Sequence, residues 1–570
     1  MHRQERAFST HVLAPAVGFV VIVVFQTLLL YRYWPAVDLP LWDESNYMGW
    51  GAKFARGIAG LTAVSNSPAY VLVYAGLVAA FGEIAAVFLM RLTTTILLSA
   101  VVLAFLLRHL RCTALALFLV LLWASSCYNM GTNWLIYKFA TLLFVLTLIH
   151  ARSGQRWATC LLLALCALVR LEYLLVFAAY AAYIAVRLVR KRTWSALGHR
   201  PRGRRDYVAL GVAVPIGLLI VFVAIRVDSW SMGGRRTWFA FRQHYAFRQV
   251  QAERCVLDPW LDYAVVIEKD FPLCNSLTNA LRTNPRALLG HVAANVLSLP
   301  RVIFGLLLPI SRKAAWPILV VFLLLCVTNA RTLVSPGHWR RAVQRVKSSL
   351  SHAGDAPVLS LMGLTGLLPS LLVYAKNKYA LMALPVLLLG MGYVCEALLT
   401  TGPHTKCGDP LPTPPPGAKG PRERLVRSGP VTLCAVTLAV VVLDDGLFRV
   451  ARRKPVYDKV KNLRAVWPNA NTKLLGVLSF SYANYLGWHR CTPIEPFGDS
   501  TGPAWTTSKV TLAELIARHK PDAVLISPRF LQSAQFDKDS ISVLDSPRWD
   551  RHEIGCDETL HLRNDRLSQP

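Results

Sequence analysis

The stretch VLAPAVGFVVIVVFQTLLLYRYWPAVDLPLWDESNYMGWGAKFARG (12–57) decides the architecture of the chain. Residues 12–31 form an apolar run about as long as the ~20 residues a helix needs to cross a bilayer. The YRYWP that follows is an aromatic and basic anchor of the kind that sits at headgroup level. The run is preceded by the short basic segment MHRQERAFSTH and is followed by no small-residue cleavage site, so it reads as an uncleaved first span with its amino terminus in the cytoplasm. Directly beyond it stand two adjacent carboxylates, Asp43 and Glu44. Tyr47, Trp50, Phe54 and Ile58 then recur at the spacing of one helical face. Such a helix lies along the membrane surface, with its carboxylates where headgroups meet water.

The rest of the sequence repeats the apolar theme. Of its 570 residues, 54% are hydrophobic and only 16% charged, against roughly a quarter charged in soluble proteins, and the mean hydropathy is +0.40. The Leu/Val/Ala-rich blocks lack the alternation of barrel strands, so the expected fold is a polytopic α-helical membrane protein. Eleven spans are expected, at about 12–32, 84–107, 112–130, 134–150, 157–170, 171–188, 207–226, 314–330, 357–374, 380–400 and 429–447. The apolar segment 68–81 is short for a crossing and reads as a re-entrant or interfacial helix. The net charge of +30 gathers in short loops such as RLVRKRTWSALGHRPRGRR (187–205) and RTLVSPGHWRRAVQRVK (331–347). That is the pattern of cytoplasmic loops beside anionic membrane lipids, and it argues against nucleic acid as the partner.

This topology leaves three regions outside: 33–83, 227–313 and everything after about 448. The second contains WSMGGRRTWFAFRQHYAFRQVQAER (230–254), suited to interfacial helices. Segment 401–428 is Pro/Gly-rich and reads as a flexible cytoplasmic linker. The chain thus divides into a transmembrane domain over 1–450 and an extracytoplasmic α/β domain over 451–570. In the latter, KLLGVLSF (473–480), TLAELIARH (511–519) and DAVLIS (522–527) read as strand, helix, strand. Of the twelve cysteines, Cys255 and Cys274 fall in one external region and Cys491 and Cys556 in another. One even pair in each is what an oxidising compartment favours, so a disulfide within each pair is expected. No metal-ligand spacing is present.

The first 226 residues contain only seven acids, and Asp43 and Glu44 are the only adjacent two. Read locally they have two explanations. Asp43, Glu44 or Ser45 caps the helix that follows, or the pair does chemistry at the membrane surface. An acidic doublet in the first external loop resembles the signature of the GT-C glycosyltransferases, in particular the protein O-mannosyltransferase and lipid A aminoarabinose transferase branches. The similarity extends through SPAYVLVYAGLVAAFGEIAAVFLMRL (67–92), LCALVRLEYLLV (165–176) and YAKNKYALMALPVLLL (374–389), in the same order over roughly residues 10–400. One departure is SSCYNMGTNW (125–134), where relatives carry a further acid and this chain has Asn129 and Asn133.

The resemblance implies transfer of a sugar from a polyprenyl-phosphate donor to a lipid, glycan or protein acceptor at the outer face of a cell membrane, the short loops and Arg/Ala-rich composition pointing to a bacterial cytoplasmic membrane. It implies Asp43 as the base and Glu44 as the group orienting acceptor or base. Lys376, Lys378, Arg170, Lys53 and Arg56 are then candidates to hold the donor phosphate, each with headgroup contact as the alternative. The resemblance fixes no cofactor, and a divalent metal is an open question. Arg91 is expected to pair with Glu83 or Glu172, with Arg170–Glu172 as the alternative pairing. Trp238 and Tyr245 are candidates to stack on sugar or isoprenoid, or else belong to an interfacial aromatic belt. His244, His291 and His489 lie outside without ligand spacing, and Asp444 and Asp445 read as a boundary feature. A polysaccharide polymerase or ligase, and a transporter or flippase of lipid-linked glycans, are the competing functions.

Overall fold

The computed structural model describes residues 2–33, 38–41, 43–58, 67–110, 112–130, 135–195, 204–226, 235–253, 258–307, 354–373, 377–400, 455–468, 471–496, 509–533, 535–555 and 557–564, with isolated helical residues between 316 and 347 and between 431 and 441. The apolar runs of the amino-terminal part form α1 (His2–Tyr33), α2 (Asp43–Ala55), α3 (Pro68–Phe81), α4 (Glu83–His109), α5 (Thr113–Ala124), α6 (Cys127–Met130), α7 (Leu135–Arg152), α8 (Arg156–Val169), α9 (Tyr173–Ser195) and α10 (Arg204–Arg226). Then come α11 (Arg235–Glu253), α12 (Tyr263–Asp270), α13 (Leu277–Thr283), α14 (Pro285–Gly305), α15 (Ala356–Gly363), α16 (Leu368–Leu372), α17 (Asn377–Ala380) and α18 (Leu384–Thr400).

Five described helices are long and apolar enough to cross a membrane: Glu83–His109, Leu135–Arg152, Glu172–Arg190, Pro285–Gly305 and Lys378–Glu396. Four of them coincide with expected spans. The fifth, α14, lies within the segment 227–313, whose basic and aromatic first half does not predict it. Asn284 caps α14 by accepting from Ala287 N (3.0 Å), and Pro285 opens it. Its polar residues are used: His291 Nε2 donates to the Val373 carbonyl (2.7 Å) and Asn295 Nδ2 to that of Leu371 (3.0 Å), at the end of α16. Other expected spans correspond to shorter apolar helices, among them Ala16–Arg32, Thr113–Ala124 and Arg156–Val169. Those at 314–330 and 429–447 fall largely outside the described residues.

α3 has 14 residues, a length of about 21 Å, which is short of the ~30 Å hydrocarbon core. It stops at Gly82, whose φ of +79° turns the chain into α4 one residue later. α2 lies on α3 at very short range, because a Cβ on Gly51 would come 2.7 Å from Tyr74 Cβ and 2.9 Å from Ala75 N. Only glycine permits that approach.

Polar contacts mark the two ends of the bundle. At one end Asp355, preceding α15, is buried and accepts from Arg156 Nε (2.8 Å), Arg187 Nη1 (2.8 Å), Tyr180 OH (3.3 Å) and Tyr183 OH (3.2 Å). This joins the start of α8, the far part of α9 and the start of α15. At the same end Glu396 of α18 accepts from Cys112 N (2.9 Å), before α5. The helix ends that carry Asp43, Arg170 and Lys378 meet at the other end.

The C-terminal domain contains α19 (Pro455–Val466), β1 (Thr472–Gly476), α20 (Ser479–Leu486), β2 (Cys491–Ile494), α21 (Leu512–His519), β3 (Ala523–Ile526), α22 (Pro528–Gln532), β4 (Trp549–Gly555) and β5 (Glu558–Arg563). The sheet order is β2-β1-β3-β5-β4, parallel at β1/β2 and β1/β3, antiparallel at β3/β5 and β5/β4. The strand, helix and strand expected at 473–480, 511–519 and 522–527 are β1, α21 and β3. α21 opens with a capping box between Thr511 and Glu514. The first strand ends early, because Leu478 adopts φ +67° and α20 starts at Ser479. The Glu495 carboxylate accepts there from Leu478 N (3.1 Å), Phe480 N (3.2 Å) and Ser479 Oγ (3.3 Å). Side chains of the central strands alternate between two cores. Leu474, Ala523, Leu525, Leu560 and Leu562 join the apolar core that runs on into the helix bundle, while Leu475, Val524 and Ile526 pack with α21 and Phe530.

Removing Asp355 leaves Arg156 half-buried and its counter-ion gone. Asp355→Ala is expected to destabilise the protein by roughly 3 kcal/mol, read as a lower thermal midpoint in detergent; an unchanged midpoint would show that this cluster does not hold the bundle end.

Candidate functional site

Asp43 and Glu44 open α2 and, as consecutive residues on a helix, point in different directions. Asp43 faces solvent, its side chain 76% exposed, and its Oδ2 lies 3.6 Å from Lys378 Nζ. Glu44 turns into the protein and is 4% exposed. Its Oε1 accepts hydrogen bonds from Tyr70 OH (2.5 Å) and Tyr74 OH (2.6 Å), which stand one turn apart on α3. Burial pushes the Glu44 carboxyl up to about 7, although the two tyrosine hydroxyls act in the opposite direction. Glu44 is therefore turned away from the solvent that Asp43 faces. Its carboxyl anchors α2 to α3 and leaves Asp43 alone at the surface. Ser45, the remaining candidate cap, donates its hydroxyl to Ser481 Oγ (3.0 Å).

Beneath Asp43 two cations flank one ring. The Arg170 guanidinium lies 4.2 Å from the Tyr137 ring centre, and Lys378 Nζ lies 5.5 Å from the same centre and 5.3 Å from that of Tyr379. Arg170 is gripped by Glu172 through Nε (3.1 Å) and Nη2. Arg170 holds that place because α8 ends at Val169 and the chain turns before α9. The fork matches one carboxylate, and would match a phosphate equally. Lys378 opens the last long apolar helix of the bundle, just past Lys376, which lies outside the described residues.

Lys53 and Arg56 do not join this cluster. Lys53 Nζ sits 3.1 Å from the ring centre of Trp488 and 4.6 Å from that of Trp50. Arg56 pairs with Glu83 and meets His489 Nδ1 at 3.2 Å. Both lie near the far end of α2, roughly 15 Å along the helix from Asp43, and tie α2 to its neighbours. Arg91 likewise departs from expectation. Glu83 takes Arg56 and Glu172 takes Arg170, while Arg91 Nη2 donates to the Met130 carbonyl. Close by, Lys138 donates to Asn129 O (2.7 Å) and Thr95 Oγ1 (3.2 Å), and Asn129 Nδ2 to Gln26 Oε1 (3.1 Å) and Ser99 Oγ (3.1 Å). Asn129 is thus the hub of a buried polar network. Asn133 lies outside the described residues.

Trp238 and Tyr245 are buried with Phe241, Phe271 and His291 as the core of the segment between α11 and α14, which removes them as stacking platforms. Cys274 and Cys491 are free thiols, Cys274 Sγ donating to Thr283 Oγ1 (3.2 Å) and Cys491 being fully buried in β2. Their expected partners Cys255 and Cys556, like Asp444 and Asp445, lie outside the described residues. Among the described residues no three His, Cys, Asp or Glu side chains gather at metal-binding range. The acidic doublet does not offer two carboxylates to one ion, since Glu44 is turned away and Asp43 faces a lysine.

Sequence reasoning missed the tyrosines. Tyr70 and Tyr74 were visible as polar tips one turn apart on an otherwise apolar helix, a spacing that puts both on one face. Tyr137 and Tyr379 carry no comparable local signal, because their partners come from other parts of the chain.

No protein-family model matches the chain, and no curated protein matches it. Among solved structures it is similar to ArnT from Cupriavidus metallidurans bound to undecaprenyl phosphate, at 14% identity and a TM-score of 0.36, over 97% of this chain and 99% of that one. A likeness at that score says nothing of which residues act.

The raised Glu44 carboxyl has a consequence for stability. Folded, it holds its proton up to about 7; unfolded, it releases it near 4.5. Its contribution is therefore full below about 4.5 and is lost as pH rises through about 7. Thermal unfolding in detergent across that window should show a midpoint that falls with pH in the parent and a shallower fall in Glu44→Gln. Tyr70→Phe or Tyr74→Phe should move the parent's transition to higher pH, and equal slopes in all four proteins would rule the clamp out.

Proposed function

We propose that the chain is a membrane glycosyltransferase that moves a sugar from a polyprenyl-phosphate donor to a hydroxyl of a lipid, glycan or protein acceptor, at the outer face of a cell membrane. The single observation that supports it best is the pairing of solvent-facing Asp43 with Lys378, whose neighbour across Tyr137 is Arg170. One carboxylate open to an acceptor, set beside two cations at the membrane-surface end of a helix bundle, suits displacement of a lipid phosphate.

The chemistry follows from the charges. An acceptor hydroxyl approaches the anomeric carbon of the donor sugar while the Asp43 carboxylate takes its proton. The new glycosidic C–O bond forms as the anomeric C–O bond to phosphate breaks, and the electron pair leaves with polyprenyl phosphate. Lys378 receives that developing charge as a point cation. Arg170 offers the Nη1 side of its guanidinium, the Nε/Nη2 edge being held by Glu172 and the plane by the face of Tyr137. A single displacement inverts the anomeric centre. Lys138 and Arg91 are also buried, and they too belong to the Asp43 end: Lys138 is in the first turn of α7 and Arg91 about two turns into α4. Lys378 and Arg170, set at helix ends on the side of Asp43, suit surface transfer better than a transport path, which requires ionisable groups near the bilayer midplane.

In membranes supplied with radiolabelled polyprenyl-phosphate mannose or polyprenyl-phosphate arabinose, Asp43→Asn should lower transfer by roughly a hundredfold or more at unchanged expression. Lys378→Met should lower it roughly tenfold. Full transfer by Asp43→Asn would rule out the proposed base.

A further inference from the structure

Asp43 has little packing of its own, so its distance from Lys378 depends on where the axis of α2 lies. That axis is held from two sides. Gly51 lets α3 approach on one face, and Gly49, two residues away and so on nearly the opposite face, lets α20 of the C-terminal domain approach on the other. The second contact centres on Asn484. Its side chain is 1% exposed, its Nδ2 donates to Asn46 Oδ1 (3.3 Å), and its Oδ1 accepts from Trp488 Nε1 (2.8 Å). A Cβ on Gly49 would fall 1.8 Å from that Oδ1. Further contacts flank it. Ser45 meets Ser481, Tyr485 OH donates to the Pro40 carbonyl (2.6 Å), and the Asp38 carboxylate accepts from Val456 N and Tyr457 N (both 2.8 Å) at the start of α19. α20 is itself fixed, since Glu495 satisfies the donors at its amino end.

We infer that Asn484 is a positioning residue for Asp43: through it the C-terminal domain sets the angle at which α2 presents the carboxylate to Lys378. The inference rests on the reading of Asp43 and Lys378 given above. The Asn484 amide is held on both sides, so extra volume at Gly49 is relieved by moving α2 rather than by rotating the amide. Displacements near 1 Å at a reacting group cost roughly a hundredfold in rate. The domain thus acts as a fixed wall of the active site.

The test reads geometry without a substrate. A water-soluble carbodiimide activates the Asp43 carboxylate, the Lys378 amine attacks it, and an amide forms as the carbodiimide leaves as its urea. In the purified full-length chain, peptide mass spectrometry should find this 43–378 link, and Gly49→Ala should lower its yield roughly tenfold. Asn484→Ala, which removes the wall itself, should lower the yield as well. In polyprenyl-phosphate sugar transfer, Gly49→Ala should lower kcat while donor KM stays within about twofold. An unchanged yield in Gly49→Ala or in Asn484→Ala overturns the inference. Should Gly49→Ala fail to accumulate, the Ser45→Cys/Ser481→Cys pair decides: oxidation should bridge α2 to α20 with the 43–378 link retained. No bridge, or a bridge that abolishes the link, overturns it. Full transfer by Asp43→Asn would instead remove the catalytic reading, while the coupling yield still reports what holds α2.

Discussion

The hydrogen bonds from Tyr70 and Tyr74 to the buried carboxyl of Glu44 are the constraint on which the rest of the site depends. A carboxyl taken out of water is tolerated only where its oxygens are satisfied, and these two hydroxyls satisfy it on α3. That choice fixes the rotation of α2 about its own axis. With Glu44 turned inward, Asp43 must turn outward, and with Gly51 pressed on Tyr74 the helix cannot rise off its neighbour. The acidic doublet is thus divided between one residue that anchors and one that faces solvent beside Lys378.

Around that division the cations sort themselves by partner. Arg56 and Lys53 are consumed in holding α2 to α4 and to the C-terminal domain, through Glu83, His489 and Trp488. Arg170 and Lys378 flank Tyr137 under Asp43, where aromatic faces stabilise positive charge and an anionic ligand would complete the balance. The apolar core that runs from the bundle into one face of the sheet explains how a domain more than 400 residues away in sequence shares in the site. The helix bundle, the carboxylate helix and the C-terminal domain pack on one another through a shared apolar core.

Much of this was legible in the residues. Hydropathy located four of the five long apolar helices, and the acidic doublet marked the helix at the surface. The capping pattern at Thr511 and the apolar runs beside it located β1, α21 and β3. α14 was missed because its polar residues and two prolines dilute an apolar face. α20 was missed because SFSYANYL has no helical stripe of its own and is held by Glu495 from the next strand. The contacts of Lys53 and Arg56 were not legible for a related reason, since their partners Trp488, Glu83 and His489 are distant in sequence.

Sequence by itself determined that this is a helical membrane protein with a small α/β domain and a carboxylate pair beside its first span, because hydropathy, periodicity and local acidity are properties of short windows. Which of the two carboxylates faces solvent, which lysine lies beside it, and which helix holds it in place were decided only by the tertiary structure. Burial, hydrogen bonding and an ion pair join α2, α3, α7, α17 and α20, and no window of sequence contains those partners together.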